Sequence, residues 1–250
     1  MNTEIWKEPV TISSFDVGAS GCLEPTYLMK HLQEAAAKHA IVLGVGFEEL
    51  KKDNIFWALT HLQVEIERWP LMMEQVTVET WPRNIQKLYT TRDFLVKDKS
   101  DNILIRASSA WIMVDISRKR PVRPYDRLQN KPFVPAIMAL GDFPTTLNRI
   151  PDNIKLTEHR RQVVYSDLDI NHHVNNTRYM EWLMDAIDPT NIEITSFNLH
   201  FSNEFRKGEA VNIKTGKPNT DTNHLIFEIE HQSTGKTGCS GEIYFKPIQQ

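Results

Sequence analysis

The sequence has few cysteines and no long hydrophobic run. Its 250 residues include only Cys22 and Cys239, which lie far apart, match no metal-ligand spacing and predict no disulfide framework. No stretch approaches the roughly 18 apolar residues that a membrane span requires. The N-terminus shows no apolar run behind a positively charged start, so no secretory signal is expected. These features predict a cytoplasmic protein without a membrane span.

An excess of positive charge and the common cofactor motifs are also missing. The 29 Lys and Arg residues against 32 Asp and Glu residues give a net charge of −3, which argues against a nucleic-acid partner. The Gly44-Val-Gly46 stretch has Glu49 where a dinucleotide fingerprint needs glycine, and no Gly-x-Ser-x-Gly elbow occurs. The adjacent His172 and His173 do not have zinc-ligand spacing. We therefore expect neither a cofactor nor a metal.

Prolines indicate how the chain is divided. Six of the thirteen fall between residues 121 and 151, where they exclude a central strand or a long helix. We predict a proline-rich linker over residues 118–154. It would join an N-terminal domain at 1–140 to a C-terminal domain at 155–250.

The two halves have the same order of predicted elements, which is a short strand, one helix and four longer strands. The first half has strands at 10–17, 57–68, 75–81, 87–98 and 103–116, with a helix after Pro25. The second half has strands at 162–165, 193–205, 210–215, 223–231 and 238–246, with a helix that ends at Asp188-Pro189. Residues 76–80 resemble residues 211–215, which gives a repeat of about 135 residues. This pattern predicts an α+β fold, a tandem hotdog in which each helix packs on an antiparallel sheet and the two sheets pair edge to edge.

Polar residues with catalytic chemistry cluster at the start of the second helix. Asp169, Asn171 and His173 alternate along the chain, so they can project from one side of the loop and orient a water molecule. Helix capping is an alternative role for the Asn and Asp residues of this segment. Glu204, predicted inside the strand 193–205, is a second candidate, although a carboxylate there can simply face solvent. Its expected equivalent in the first repeat is Glu67.

A basic run covers Arg118, Lys119 and Arg120, with Arg123 and Arg127 close behind. Two interpretations stay open for it. It forms a solvated turn, or it forms a docking surface for an acidic partner.

The segment Asp167-Leu-Asp-Ile-Asn-His-His-Val-Asn-Asn-Thr-Arg-Tyr179 resembles the signature of the acyl-acyl-carrier-protein thioesterases. The similarity extends over nearly the whole chain and includes residues 29–35, 57–70 and 106–114. In that family an Asp-x-Asn-x-His triplet and a downstream Glu are implicated in catalysis, which implies Asp169, Asn171, His173 and Glu204 here. Plant members often have Cys after that Glu, whereas this chain has Phe205, which argues against a cysteine nucleophile.

The resemblance implies hydrolysis of acyl carrier protein thioesters to free fatty acid, with the catalytic residues in the C-terminal hotdog and the acyl chain bound by the N-terminal one. Glu204 would be the general base, more basic if buried, and Asn171 and His173 would hold the water and the developing charge. Helix-start amides from Val174 to Asn176 would stabilise the oxyanion, and Asp169 would orient the segment. Attack by Glu204 itself, giving an acyl anhydride, is an alternative mechanism.

Two other functional classes stay open at this point, a hotdog dehydratase or hydratase and a non-catalytic acyl-binding regulator. Because no plastid transit segment is seen, the resemblance implies a bacterial member. Two hotdogs in one chain already form a pseudo-dimer, so either a monomer or a homodimer is expected.

Overall fold

A computed structural model of the chain describes residues 4–141, 150, 154–218 and 223–248. Contacts divide the chain into two units, Met1–Phe143 and Pro144–Gln250. Pro144 and Pro151 of the predicted linker, and Asn219 of a predicted turn, lie outside the described residues. Each unit contains a long helix and five main strands, and each has the hotdog architecture predicted from the sequence.

Unit 1 follows the order strand, helix, strands. Its strands are β1 (Trp6–Thr11), β2 (Ile55–Ile66), β3 (Gln75–Gln86), β4 (Tyr89–Lys97), β5 (Ile103–Asp115) and the short β6 (Arg120–Val122); its helices are α1 (Pro25–Val42), α2 (Phe47–Lys52) and α3 (Tyr125–Leu128). The strands pair antiparallel in the order β1-β3-β4-β5-β2, and β6 pairs with the end of β5.

Unit 2 has the same plan without the extra short elements. Its strands are β7 (Leu156–Gln162), β8 (Ile192–Phe201), β9 (Ala210–Gly216), β10 (His224–His231) and β11 (Thr237–Pro247), and its long helix is α4 (Asn176–Ile187). The strands pair antiparallel in the order β8-β11-β10-β9-β7. A short 3₁₀ turn at Tyr165–Asp167 leads from β7 toward α4.

Each long helix buries one apolar stripe. In α1, which begins at Pro25 as a first-turn proline allows, Leu28, Met29 and Leu32 are buried. In α4 the stripe includes Trp182 and Leu183, with further members Tyr179, Met180 and Met184. The α4 helix ends where Asp188 takes a left-handed conformation before Pro189, which confirms the predicted stop.

The described part of the predicted linker packs onto unit 1. The amide of Val134 donates to the carbonyl of Pro82 at 3.0 Å, and the amide of Ala139 donates to the carboxylate of buried Asp93 at 3.0 Å. The indole of Trp81 donates to the carbonyl of Ile137 at 3.1 Å. Residues up to at least 139 therefore fold with unit 1.

Several predicted bounds were wrong. The strand predicted at 10–17 is β1, which ends at Thr11, and the strand predicted at 162–165 lies earlier, at Leu156–Gln162. Helix α2 was not predicted, because six residues are too few for helical periodicity to show. The strand predicted at 193–205 ends at Phe201. Glu204 consequently lies in the loop that follows β8.

The repeat appears in the structure as two matching sets of hydrogen bonds. The carboxylates of Asp16 and Asp167 accept the amides of Ser13 and Val164 in the two units, both at 2.8 Å, and these pairs are 151 positions apart. The side chains of Glu74 and Glu209, 135 positions apart, each accept an amide three residues earlier at 2.9 Å. The spacing changes because the helical region of unit 1 is longer. The repeat of 135 residues therefore applies only to the part of each unit that follows the long helix.

Candidate active site

The loop before α4 is organised by the carboxylate of Asp169. One of its oxygens accepts the amides of Asn171 at 2.8 Å and His173 at 3.2 Å. The Asp169 amide donates to the carbonyl of His173 at 2.8 Å, which closes the loop. The orienting role expected for Asp169 is thus supported by direct contacts with both neighbouring members of the triplet.

His172 stands at the tip of this loop in a left-handed conformation, with φ of 61°. Glycine adopts this backbone region most readily, and Asn, Asp and His are the other residues most often found there. Unit 1 has Gly21 at the corresponding position, with φ of 72°. The two loops therefore share a left-handed residue at the same place.

The structure brings His173 and Glu204 together across 31 positions of sequence. Nε2 of His173 lies 3.1 Å from Oε2 of Glu204. The side chain of Glu204 is 50% exposed and that of His173 is 21% exposed. Of the two possibilities left open for Glu204, burial and exposure, the structure shows a half-exposed carboxylate with access to water.

The buried ring of Phe205 fixes the loop that carries Glu204. Its centroid lies 5.9 Å from that of Tyr179 on α4, and a Cβ at Gly238 would collide with it. The carbonyl of Phe205 accepts the amide of Val174 at 2.9 Å. Phe205 thereby ties the Glu204 loop directly to the end of the Asp169–His173 loop.

Asn203 gives this loop a second attachment. Its side-chain amide donates to the carbonyl of Thr237 on β11 at 2.6 Å. The hydroxyl of Tyr179 donates to the carbonyl of Asn203 at 3.5 Å. Glu204 is therefore flanked on both sides by residues with fixed contacts.

Asp167 is a structural residue of the site that the sequence reasoning did not single out. It is buried and accepts the amide of Val164 at 2.8 Å and the indole of Trp182 at 3.2 Å. Arg161 lies 3.5 Å from the same carboxylate. Asp16 holds the corresponding place in unit 1, so a comparison of the repeats at a spacing of 151 would have indicated it.

The helix-start amides are only partly available. The amide of Val174 is used by Phe205, and that of Asn175 donates to the carbonyl of Asp167 at 2.9 Å. The side chain of Asn175 caps α4 by accepting the amide of Thr177 at 3.0 Å. The expectation that the Val174 and Asn175 amides face an oxyanion was wrong. Of the three expected amide donors, only that of Asn176 is not used in these contacts.

The assignment of Glu67 as the equivalent of Glu204 was wrong. The carbonyl of Pro70 accepts the amide of Leu23 at 2.8 Å, as the carbonyl of Phe205 accepts the amide of Val174. Pro70 thus corresponds to Phe205, and Trp69 corresponds to Glu204. Unit 1 has an indole where unit 2 has the carboxylate.

In the corresponding loop of unit 1, between Val17 and Leu23, the triplet is replaced by Gly18, Ser20 and Cys22. Because unit 1 has neither the triplet nor the glutamate, the candidate catalytic set belongs to unit 2.

Neither cysteine belongs to the candidate catalytic set. Burial raises the pKa of the Cys239 thiol far above its ordinary value, which keeps it protonated. Cys22 is a free thiol in unit 1. Within the described ranges 4–141, 150, 154–218 and 223–248, no three His, Cys, Asp or Glu side chains come together as a metal-binding group.

Comparison with known proteins gives consistent matches along the chain. The acyl-ACP thioesterase N-terminal domain matches residues 3–130, and the C-terminal domain of the same family matches residues 152–247. The palmitoyl-acyl carrier protein thioesterase of Arabidopsis thaliana, a chloroplastic protein, is 30% identical over 238 residues, which cover 88% of this chain and 57% of the relative. The chain spans 52% of the related enzyme from Cuphea hookeriana, and so about half the length of these plant relatives.

Solved structures show the same fold. The crystal structure of an acyl-ACP thioesterase from Bacteroides thetaiotaomicron is 26% identical, covers 98% of this chain and 100% of its own, and superposes with a TM-score of 0.80. The 12:0-ACP thioesterase of Umbellularia californica superposes with a TM-score of 0.86 at 23% identity, over 99% of both chains.

A hotdog repeated in tandem, with an Asp-x-Asn-x-His loop and a glutamate in the second repeat, defines the class of double-hotdog thioesterases. This chain belongs to the acyl-ACP thioesterase family, which confirms the family and the fold expected from the sequence. No helix among the described residues is both long and apolar enough to cross a membrane.

Proposed function

We propose that this protein hydrolyses the thioester of an acyl carrier protein, releasing a free fatty acid and the carrier thiol, and so ends chain elongation in fatty-acid synthesis. The observation that carries the proposal is the 3.1 Å contact between His173 and Glu204. It joins the triplet to the glutamate inside the unit that matches the family's C-terminal domain. Asp169, Asn171, His173 and Glu204 are the proposed catalytic residues.

Glu204 acts as the general base in this mechanism. The Nε2–H of His173 donates to one oxygen of Glu204 and holds the carboxylate in place. The other oxygen then accepts a proton from water as that water attacks the thioester carbonyl. The tetrahedral intermediate collapses with cleavage of the carbon–sulfur bond, and the proton taken by Glu204 passes to the departing thiolate.

Asn171 and His173 position the water, and the side-chain amide of Asn171 donates to the developing negative charge, because the Nε2–H of His173 already donates to Glu204. The backbone amides of both residues donate to the Asp169 carboxylate, so both side chains extend from a fixed backbone. Preorganised donors of this kind stabilise a transition state more than flexible ones, because they need not reorganise during the reaction. The amide of Asn176 at the first turn of α4 is the proposed helix-end donor.

Water attack is proposed over formation of an acyl anhydride on Glu204. Half of the Glu204 side chain is exposed, so water reaches the carboxylate directly. One carboxylate oxygen of Glu204 accepts a hydrogen bond from His173, and this bond favours proton transfer from water over attack by the carboxylate itself. In ¹⁸O-labelled water, a single turnover should place the label in the fatty acid and leave Glu204 unlabelled; label in Glu204 would establish the anhydride route.

The two units are proposed to divide the work. Unit 1 carries neither the triplet nor the glutamate, and we assign it to binding of the acyl chain. A bacterial source is part of this proposal, and the match to the thioesterase of Bacteroides thetaiotaomicron, which covers 98% of this chain, agrees with it. Both cysteines are free thiols, as expected in the reducing cytoplasm, and the cytoplasm is the proposed location.

The decisive experiment measures thiol release from thioesters with purified protein. Saturated acyl chains of graded length are supplied on acyl carrier protein and on coenzyme A, alongside an enoyl thioester. Thiol release that is fastest with acyl carrier protein supports the proposal. Hydration of the enoyl thioester without thiol release would identify a hydratase, and binding without either reaction would identify an acyl-binding regulator.

A further inference from the structure

Exposed apolar and basic side chains lie on the loops that carry the proposed catalytic residues of unit 2 and on the turn that precedes them. We call these side chains the apolar–basic surface, and its members are Val164, Tyr165, Ile170, Arg206 and Lys207. Tyr165 is 79% exposed and Ile170 is 74% exposed, high values for large apolar side chains. Clustered exposure of this kind marks sites of protein association.

The members of this surface are held together by backbone contacts between two loops. The amide of Gly208 donates to the carbonyl of Val163, and the amide of Val163 donates to the carbonyl of Glu209, both at 2.9 Å. The ammonium of Lys207 lies 6.0 Å from the centre of the Tyr165 ring. Tyr165 and Lys207 therefore lie side by side.

The surface adjoins the proposed catalytic residues along both loops. Ile170 lies between Asp169 and Asn171 in the sequence, and Arg206 follows Glu204 by two positions. A partner bound here would be placed beside the His173–Glu204 pair.

Two cations of the surface, Arg206 and Lys207, are exposed to solvent. Among the neighbouring carboxylates, Glu204 is half exposed and Asp169 accepts the amides of Asn171 and His173. Glu204 contacts His173, Glu209 accepts the amide of Arg206 at 2.9 Å, and Asp167 is 1% exposed. A partner with an acidic surface is therefore complementary to this patch.

The basic pair is confined to the unit that holds the proposed catalytic set. At the corresponding turn of unit 1, Leu71 and Met72 take the places of Arg206 and Lys207, and they are also exposed. The two units therefore share the same turn, but only the turn in unit 2 carries the two cations. Because the turn forms without them in unit 1, the cations are not required by the fold, and we associate them with the site.

From these observations we infer that the apolar–basic surface docks the acyl carrier protein, whose acidic surface places the thioester at the His173–Glu204 pair. The inference rests on the proposed function. Ile170 and Tyr165 supply the apolar contact, and Arg206 and Lys207 steer and orient the carrier. The basic run at 118–123, also exposed, is the competing surface for the same partner.

The test compares two substrates that bear the same acyl chain, the acyl carrier protein thioester and the acyl-pantetheine thioester. Ile170→Ser and Lys207→Glu should each raise KM for the carrier substrate about tenfold, a typical effect for a residue at the centre of an interface. KM and kcat for acyl-pantetheine should change less than about twofold, because this substrate has no protein to dock. The KM of Lys207→Glu should also depend less on salt than that of the wild type.

Matched controls lie at the other end of the unit 2 sheet. Lys217→Glu makes the same charge change just beyond the far end of β9, a seven-residue strand that spans about 23 Å. Ile248→Ser removes an exposed apolar side chain beyond the end of β11. Both control variants should match the wild type with both substrates, and circular dichroism should show all four variants folded.

Three results would overturn the inference. The first is an unchanged KM for the carrier in Ile170→Ser and Lys207→Glu. The second is an equal loss with both substrates, which would show that the variants distort the catalytic loop. The third is a large carrier-specific effect of Arg118→Glu with Lys119→Glu in place of the surface variants, which would locate the dock on the basic run.

A direct measurement of carrier binding tests the docking surface independently of the proposed hydrolytic function. Calorimetric titration of the wild type and variants with unloaded carrier protein measures docking without hydrolysis. Weaker binding by Lys207→Glu, and not by Lys217→Glu, supports the surface even if no thioester is cleaved. Hydrolysis by the wild type with equal carrier binding by both variants would retain the function and reject the surface.

Discussion

At the scale of single residues, Glu204 and His173 form the contact on which the proposed chemistry depends. Glu204→Gln keeps the shape and an oxygen that accepts from His173 but removes the base. We expect kcat for thioester hydrolysis to fall roughly 10²-fold or more, in line with the contribution of a general base. Substrate binding should be retained, and steady-state kinetics with a binding titration will separate the two effects.

The same contact predicts how variants combine. His173→Ala should also lower kcat, and His173→Ala with Glu204→Gln should cost less than the product of the single effects, because the two residues act as one unit. Cys22→Ala with Cys239→Ala serves as the control and should leave kcat nearly unchanged. Wild-type hydrolysis by Glu204→Gln, together with a dead double cysteine variant, would refute the assignment.

Phe205 is predicted to position Glu204 without touching substrate. Phe205→Ala removes the ring that packs against Tyr179 and should free the loop, so kcat falls while KM changes little. Stability should also fall by about 3–5 kcal/mol, the usual cost of truncating a buried Phe. The structural and positioning roles are separated by Phe205→Leu, which refills much of the space and should recover stability more fully than kcat. Equal recovery of both would indicate a purely structural role.

At the scale of elements, the loops before α1 and α4 share one backbone design with different side chains. His172 has φ of 61° where Gly21 has φ of 72°. A β-branched residue in this conformation costs on the order of 1–3 kcal/mol. His172→Val should therefore distort the loop, displace Asn171 and His173, and lower both kcat and Tm, whereas His172→Gly should keep the loop and most of kcat.

Gly21→Val is the matched control for this prediction. It introduces the same backbone strain at the corresponding position of unit 1, where no proposed catalytic residue lies. Tm should fall while kcat for a short-chain thioester is retained. If Gly21→Val and His172→Val lower kcat equally, the difference assigned to the two loops is wrong.

At the scale of the whole molecule, His200 on β8 links stability to pH. Burial lowers its pKa below the ordinary value of 6.5, because the charged imidazolium loses hydration. Below pH 6.5 the unfolded chain takes up a proton that the folded protein resists. The free energy of unfolding should therefore decrease as the pH falls from 6.5 toward the folded-state pKa, and it should be insensitive to this group above pH 6.5.

His200→Gln removes this contribution. Between pH 7.5 and 5.5, thermal melts of His200→Gln should show a smaller fall in Tm than those of the wild type. Exposed His159 on β7 provides the control variant, His159→Gln, in which the wild-type fall should persist. An unchanged pH dependence in His200→Gln would show that the half-buried imidazole does not cause it.

The fold could be predicted from the sequence because its signals are local. Apolar residues at helical spacing defined α1 and α4, and proline positions and strand periodicity gave the order of elements in both halves. The errors occurred where local pattern is weak, at the ends of β1 and β7 and in the six-residue α2. Strand ends depend on which partner strand remains available for pairing, and this information is absent from a single segment.

The sequence by itself determined the family, the tandem hotdog and the identity of the four proposed catalytic residues. The repeat indicated the fold, and short motifs indicated the family and these residues. Only the tertiary structure decided how these residues meet. In the structure Glu204 lies in a loop after the strand, and half of its side chain is exposed. Trp69 holds the corresponding position in unit 1. The amides of Val174 and Asn175 donate to backbone carbonyls of the loops. Such contacts join loops 31 residues apart, and their geometry is set by packing around Phe205, which no local pattern of sequence encodes.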